Sequence, residues 1–212
     1  FDEETKFCKI PFNDYSEIKV LLNHLEKYQI KYNLDNNISL ISENKRNRKK
    51  HFRKNIKLGI SAKNEFKDKE KEELIKKLKP DFVRNLTDQQ LNALFHLISV
   101  QNGANFSVPG SGKTSVALAY YHYLKKSNIV DSVIILGPAS VFEPWESEYL
   151  SCFGKKPNSI RIAGNNRNTR KQIYLKFQQY EMILNTYHSS SRDLDDIIKI
   201  LQLRKTLLIL YE

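Results

Sequence analysis

Apolar residues recur along this chain with two different periods, and the change between them falls near residue 80. Before it, Ile18, Leu21, Leu22, Leu25 and Tyr28 recur at helical spacing, which predicts an amphipathic helix from residue 16 to about 32. A turn at NLDNN, residues 33–37, leads to a second, polar helix over 41–60. A third is predicted over 65–78, where EFKDKEKEELIKKL supplies close acid–base pairs before Pro80 ends it. Residues 1–80 therefore read as a helical N-terminal segment. From Thr87 the texture changes to helices alternating with short apolar runs, the pattern of crossover units in a parallel sheet. Thr87 and Gln90 form a capping-box start for a helix reaching about Val100. Strands are predicted at 104–108, 132–136, 159–163, 182–186 and 206–210. The helices between them, at 113–125, 141–151, 169–180 and 192–203, are each long enough to recross the sheet. The expected fold class is thus α/β, with residues 81–212 forming a parallel sheet flanked by helices.

Composition narrows the setting. With 40% hydrophobic and 28% charged residues in 212, the chain can bury a substantial core, so disorder is not expected. No run approaches the eighteen apolar residues of a membrane span and no signal-like segment opens the chain, so a cytoplasmic protein with no membrane partner is expected. Cys8 and Cys152 stand alone, without the spacing of a zinc site or a disulfide framework. The net charge of +11 is concentrated early: residues 1–80 hold 20 Lys/Arg against 13 Asp/Glu, and the remainder 15 against 11. Such a field favours polyanions. Its densest part is ENKRNRKKHFRKNIK, residues 43–57, with eight Lys/Arg around Phe52 and Ile56. Arg46, Arg48, Lys49, Arg53 and Lys54 could contact a DNA backbone, or the run could be a solvated helix face.

The chemistry is concentrated in SVPGSGKT, Ser107 to Thr114, which joins a predicted strand to a predicted helix. That context turns a glycine-rich string into a phosphate site. Gly110 and Gly112 free the backbone to turn amides inward, and the helix N-terminus adds a favourable dipole. Ser107, Pro109, Gly110, Ser111, Gly112, Lys113 and Thr114 are the expected nucleotide-binding residues. Lys113 would reach the β- and γ-phosphates and Thr114 would give its hydroxyl to Mg²⁺, so ATP and Mg²⁺ are the expected cofactors. The loop is of the shorter GxGKT kind, with Ser107 where the longer pattern wants glycine.

Beside this loop, further segments bring the chain into register with a known family. Residues 84–212 resemble the N-terminal motor lobe of superfamily-two helicases, and within them the Swi/Snf-like translocases and their bacterial relatives in restriction and defence. The resemblance rests on RNLTDQQ, SVPGSGKT, GPASVFEPWESEY, LNTY and TLLILYE. It implies a RecA-like lobe of an ATP-dependent motor on nucleic acid, with double-stranded DNA the favoured partner and RNA the other candidate. Helicase-type loops carry a small residue where Ser107 stands. The same resemblance places Gln90 at the adenine-reading glutamine; its other reading is a helix-capping side chain. Pro138, Ser140, Trp145 and Glu148 fall on the Swi/Snf-like strand-end motif, with Ser140 near the tracked strand's phosphates. Trp145 reads more readily as core packing than as base stacking. Thr186 and Tyr187 fall near the same phosphate backbone.

The final run, TLLILYE, sits where the family has Asp-Glu. Glu212 matches the catalytic glutamate that polarises water, and with Lys113 completes the expected catalytic pair. Tyr211 stands in place of the magnesium-organising aspartate. A phenol is neutral at pH 7 and leaves the cation's charge less compensated, so poor hydrolysis is expected. The resemblance further implies a missing strand beside the Tyr211 strand and a missing second lobe, hence a piece of a larger motor. Two rivals remain: a non-catalytic nucleic-acid-binding module with a vestigial loop, and a phosphate-loop kinase or guanine-nucleotide switch. The latter's Asn-Lys-x-Asp signature does not occur.

Overall fold

The computed structural model describes residues 15–31, 36–65, 68–100 and 102–211. Packing divides the chain into two units, Phe1–Phe52 and Arg53–Glu212. The first holds helix α1 (Tyr15–Lys27), whose Leu21, Leu22 and Leu25 are half-buried. The turn predicted at 33–37 lies outside the described residues up to Asp35. Asn36 and Asn37 instead open helix α2 (Asn36–Glu65), which extends beyond the predicted 41–60 at both ends. The described exposures along its basic run are high: Arg46, Arg48, Lys49, Arg53 and Lys54 all face solvent.

In the second unit, α3 (Asp68–Leu78) buries Leu74 and Leu78 in the same cluster as the sheet residues Val133 and Ile135. Packing therefore draws its division at residues 52 and 53, earlier than the pattern change near 80, because α3 lends its apolar face to the lobe. Next comes α4 (Asp88–Ser99), then α5 (Lys113–Lys126), strand β1 (Ser132–Leu136) and α6 (Phe142–Phe153). Strand β2 (Ser159–Arg161), α7 (Arg167–Leu175), β3 (Met182–Asn185), α8 (Tyr187–Arg192), α9 (Leu194–Leu203) and β4 (Thr206–Leu210) complete the lobe. The four strands form one parallel sheet in the order β2-β3-β1-β4, with Ile134 level with Ile183 on one side and Leu208 on the other.

Strand periodicity explains the layers. Successive side chains of a strand point to opposite faces, so Val133 and Ile135 join Met182 and Leu184 under α3, α4, α5 and α6. Ile134 and Leu136 join Ile183 under Tyr174 of α7 and Ile197 and Ile200 of α9. Both faces are covered, which is why β1 and β3 read as continuous apolar runs rather than alternating ones. This is the parallel sheet flanked by helices expected from the sequence.

One departure carries a physical reason. Residues 104–108 do not form the expected strand; Phe106 is 95% exposed and Val108 72%. A strand is held by a ladder partner, and these residues pair with none of the four strands. β4 is the sheet's edge among the described residues, with Leu210 66% exposed. The helix expected over 192–203 forms as α9 and starts two residues later, because buried Asp193 stands at its N-terminus, between α8 and α9, and turns inward. Arg170 grips its carboxylate through Nε at 2.6 Å and Nη2 at 2.9 Å, and Tyr174 donates its hydroxyl to it at 3.1 Å. Asn185, buried at the end of β3, donates to the Tyr174 hydroxyl at 3.0 Å.

This buried network predicts an acid-sensitive stability term. The Arg170 guanidinium beside Asp193 holds its carboxyl below the usual range. A folded-state value below the unfolded one, roughly 3.9, stabilises the fold above that pH and loses the contribution as pH falls through the lowered value. Asp193→Asn leaves the Arg170 charge buried and uncompensated, so it should cost roughly 3 kcal/mol in urea unfolding at pH 7. The gap between the two proteins should close below about pH 4.

Candidate nucleotide site

The site is built where α4, the connecting segment and α5 converge. Thr87 caps α4: its hydroxyl accepts from the Gln90 amide at 3.3 Å while the Gln90 Oε1 accepts from the Thr87 amide at 3.0 Å. The capping role read for Gln90 is therefore realised, and its amide nitrogen does a second job. Nε2 donates to the Ser111 carbonyl at 3.0 Å, which fastens α4 to the glycine-rich loop.

The loop's shape follows from its glycines. Gly110 has φ +81° and Gly112 φ +79°, both left-handed conformations that side chains resist. At Gly112 there is a second reason, because a Cβ would lie 2.3 Å from Gln90 Nε2, whereas at Gly110 it would meet nothing within 4 Å. Gly112 opens α5, so Lys113 and Thr114 occupy its first turn at the positive end of the helix. Lys113 Nζ donates to the Ser107 carbonyl at 2.8 Å. Ser107 is itself tied to Asn105, whose Oδ1 accepts from its amide at 3.1 Å and its hydroxyl at 2.5 Å. Thr114 is half-buried. The Ser111 hydroxyl is buried without a protein partner, although buried polar groups are normally bonded. An orphaned hydroxyl, two left-handed glycines and a lysine at a helix N-terminus fit a bound phosphate chain.

Behind the loop lies a link that motif reading did not assign. Ser115, fully buried on α5, donates its hydroxyl to Glu148 Oε1 on α6, and Arg84 Nη1 donates to the same oxygen at 2.5 Å. Cys152 sits on the same helix face, and burial, reinforced by the Glu148 charge, pushes its thiol up to about 12. No local sequence signal joins these residues, since they lie 33 and 64 positions apart.

The remaining expected residues gather at the C-terminal ends of the strands. β1 continues through Gly137 and Pro138 into a 3₁₀ turn, Ala139–Val141, that exposes Ser140. β3 is followed by Thr186, whose hydroxyl caps α8 by accepting from the Ser189 amide at 3.3 Å. Tyr187 is 41% exposed and donates its hydroxyl to the Tyr211 carbonyl at 3.0 Å. Tyr211 in turn donates its amide to the Leu136 carbonyl at 2.8 Å. Its ring meets Trp145 edge-on, with centroids 5.6 Å apart. Trp145, only 1% exposed, is core, as its sequence setting suggested. Ser140, Thr186 and Tyr187 thus follow the C-terminal ends of β1 and β3, while Ser107 and Pro109 to Thr114 form the loop that Gln90 of α4 joins through Ser111. Glu212 lies outside the described residues. No cluster of three or more His, Cys, Asp or Glu that could hold a metal occurs among the described residues, which leaves the Thr114 hydroxyl as the side chain read for Mg²⁺. No described helix is long and apolar enough to cross a membrane.

The family model described as "Type III restriction enzyme, res subunit" matches residues 85–210. Among solved structures, the chain is similar to the Sulfolobus solfataricus SWI2/SNF2 ATPase core in complex with dsDNA, at 23% identity and a TM-score of 0.45. That match covers 61% of this chain and 32% of the other, so the chain spans about a third of that protein. No curated protein matches.

The two loop glycines should respond differently to substitution. Gly112→Ala combines a left-handed backbone with a clash against Gln90, and should lower stability by about 2 kcal/mol in denaturant unfolding. Gly110→Ala carries the backbone strain alone and should cost about 1 kcal/mol.

Proposed function

Because the chain belongs to the type III restriction enzyme res subunit family, we propose that it is the ATP-binding part of a Swi/Snf-like superfamily-two DNA helicase or translocase. The observation that carries this reading is the loop itself, with a buried Ser111 hydroxyl lacking a protein partner beside Gly112 and Lys113. In this reading the amides at the start of α5 and the Ser111 hydroxyl bond phosphate oxygens. Lys113 exchanges the Ser107 carbonyl for the β- and γ-phosphates, and Thr114 gives its hydroxyl to Mg²⁺. Bound Mg²⁺ supplies the positive charge that offsets the triphosphate's. Gln90 retains one amide hydrogen and one lone pair beyond its bonds to Ser111 and Thr87, enough to meet the adenine edge.

Nucleic acid, in the same reading, runs along the strand-end edge bearing Ser140, Thr186 and Tyr187, where backbone contacts position the duplex without reading its sequence. Double-stranded DNA is the favoured partner. Hydrolysis by this chain is slow in the same reading. Tyr211 brings a neutral phenol packed on Trp145 to the place where a carboxylate would organise the cation, so Glu212 would act beside an under-compensated metal.

Titrating a fluorescent, non-hydrolysable ATP analogue with Mg²⁺ tests the reading. The chain should bind it, and Lys113→Ala should weaken binding at least about tenfold by removing a charge-assisted contact to phosphate. Phosphate release should stay near background with or without duplex DNA. Salt-dependent DNA binding that survives Lys113→Ala, with no nucleotide bound at any concentration, would instead make the chain a nucleic-acid-binding module with a vestigial loop.

A further inference from the structure

Glu148 joins two walls of the nucleotide site that are remote in sequence. One wall is the first turn of α5: Ser115 follows Lys113 and Thr114 directly, and its buried hydroxyl is held by Glu148 Oε1. That hydroxyl lies directly under the loop, since a Cβ on Gly112 would sit 3.4 Å from it. The other wall is the segment entering α4. Arg84, bound to the same Glu148 oxygen, stands three residues before Thr87, where the Thr87–Gln90 capping box fixes the start of α4. Gln90 closes the circuit by donating to Ser111. Glu148 is 24% exposed and Arg84 38%, so this carboxylate is partly shielded from water and its bonds are stronger than those of an open surface pair.

We infer that Glu148 is a positioning residue for nucleotide binding, fixing the separation between Gln90 on the base side and Lys113 with Thr114 on the phosphate side. This rests on the reading that the loop binds ATP. A ligand spanning both walls depends on their spacing. One that occupies the phosphate loop alone does not.

That difference separates positioning from general support of the fold. Binding of Mg·ATP analogue and of Mg·tripolyphosphate is measured calorimetrically for the full chain, Glu148→Ala and Glu148→Gln. Glu148→Ala should weaken the nucleotide about tenfold, the scale of losing a positioning partner, and tripolyphosphate by less than about twofold. Glu148→Gln keeps an acceptor oxygen in place and should recover most of the loss. Arg84→Met releases the base-side wall without uncovering the buried Ser115 hydroxyl, and should reproduce the same selective loss if Glu148→Ala does not fold. Equal weakening of both ligands, or no weakening of either, overturns the inference while nucleotide binding stands. Failure of the unaltered chain to bind the nucleotide while it binds tripolyphosphate, or neither, overturns the reading and the inference together.

Discussion

All five residues of β1 are buried, and its two parallel ladders hold the rest of the lobe in place. Because both ladders are parallel and in register, the C-terminal ends of β3 and β4 arrive beside that of β1. Leu136 and Tyr211 are joined by a backbone hydrogen bond, and Tyr187 reaches the Tyr211 carbonyl. Ligands of open parallel sheets bind outside the carboxyl ends of the strands, and this arrangement makes that edge. The helices that cover the two faces then fall where the alternation of β1 sends its side chains, α5 and α6 on one side, α7 and α9 on the other.

The same packing holds the segment Ser107 to Thr114 from outside. The loop has no strand of its own, and Phe106 and Val108 before it are exposed. Its shape is set by contacts from neighbours: Gln90 from α4 on the Ser111 carbonyl, Ser115 from α5 beneath Gly112, and Glu148 from α6 behind both. The proposed phosphate site would need amides fixed before a ligand arrives, and a carboxylate, an amide and a hydroxyl from separate helices would provide that restraint.

Local pattern was enough to find most of the lobe. The runs at 132–136 and 206–210 emerge as β1 and β4 at the same bounds, and the Thr87 capping box is visible in four residues of sequence. The loop was legible because its glycines, lysine and threonine are adjacent. What could not be read depends on partners distant in sequence. Residues 104–108 have strand-like composition, but strand formation is decided by a neighbour that composition does not name. Asp193 sits between α8 and α9, where its carboxylate is taken by Arg170 and Tyr174 from α7. Glu148 was recognisable as part of a motif, yet its bonds to Ser115 and Arg84 appear only once α6 is packed against α5. Tyr211 is the reverse case: as a departure from Asp-Glu it was evident in the sequence, and its packing on Trp145 supplies the physical setting.

The central claim, that Ser107 to Thr114 cradles a phosphate chain, is tested most directly at the loop's own amides. In a ¹⁵N-labelled sample, saturating Mg·ATP analogue should move the amide resonances of Gly110, Ser111, Gly112 and Lys113 more than those of Ser132 and Met182 at the opposite ends of β1 and β3. Shifts confined to residues outside the loop, or no shift at saturating nucleotide, would contradict it.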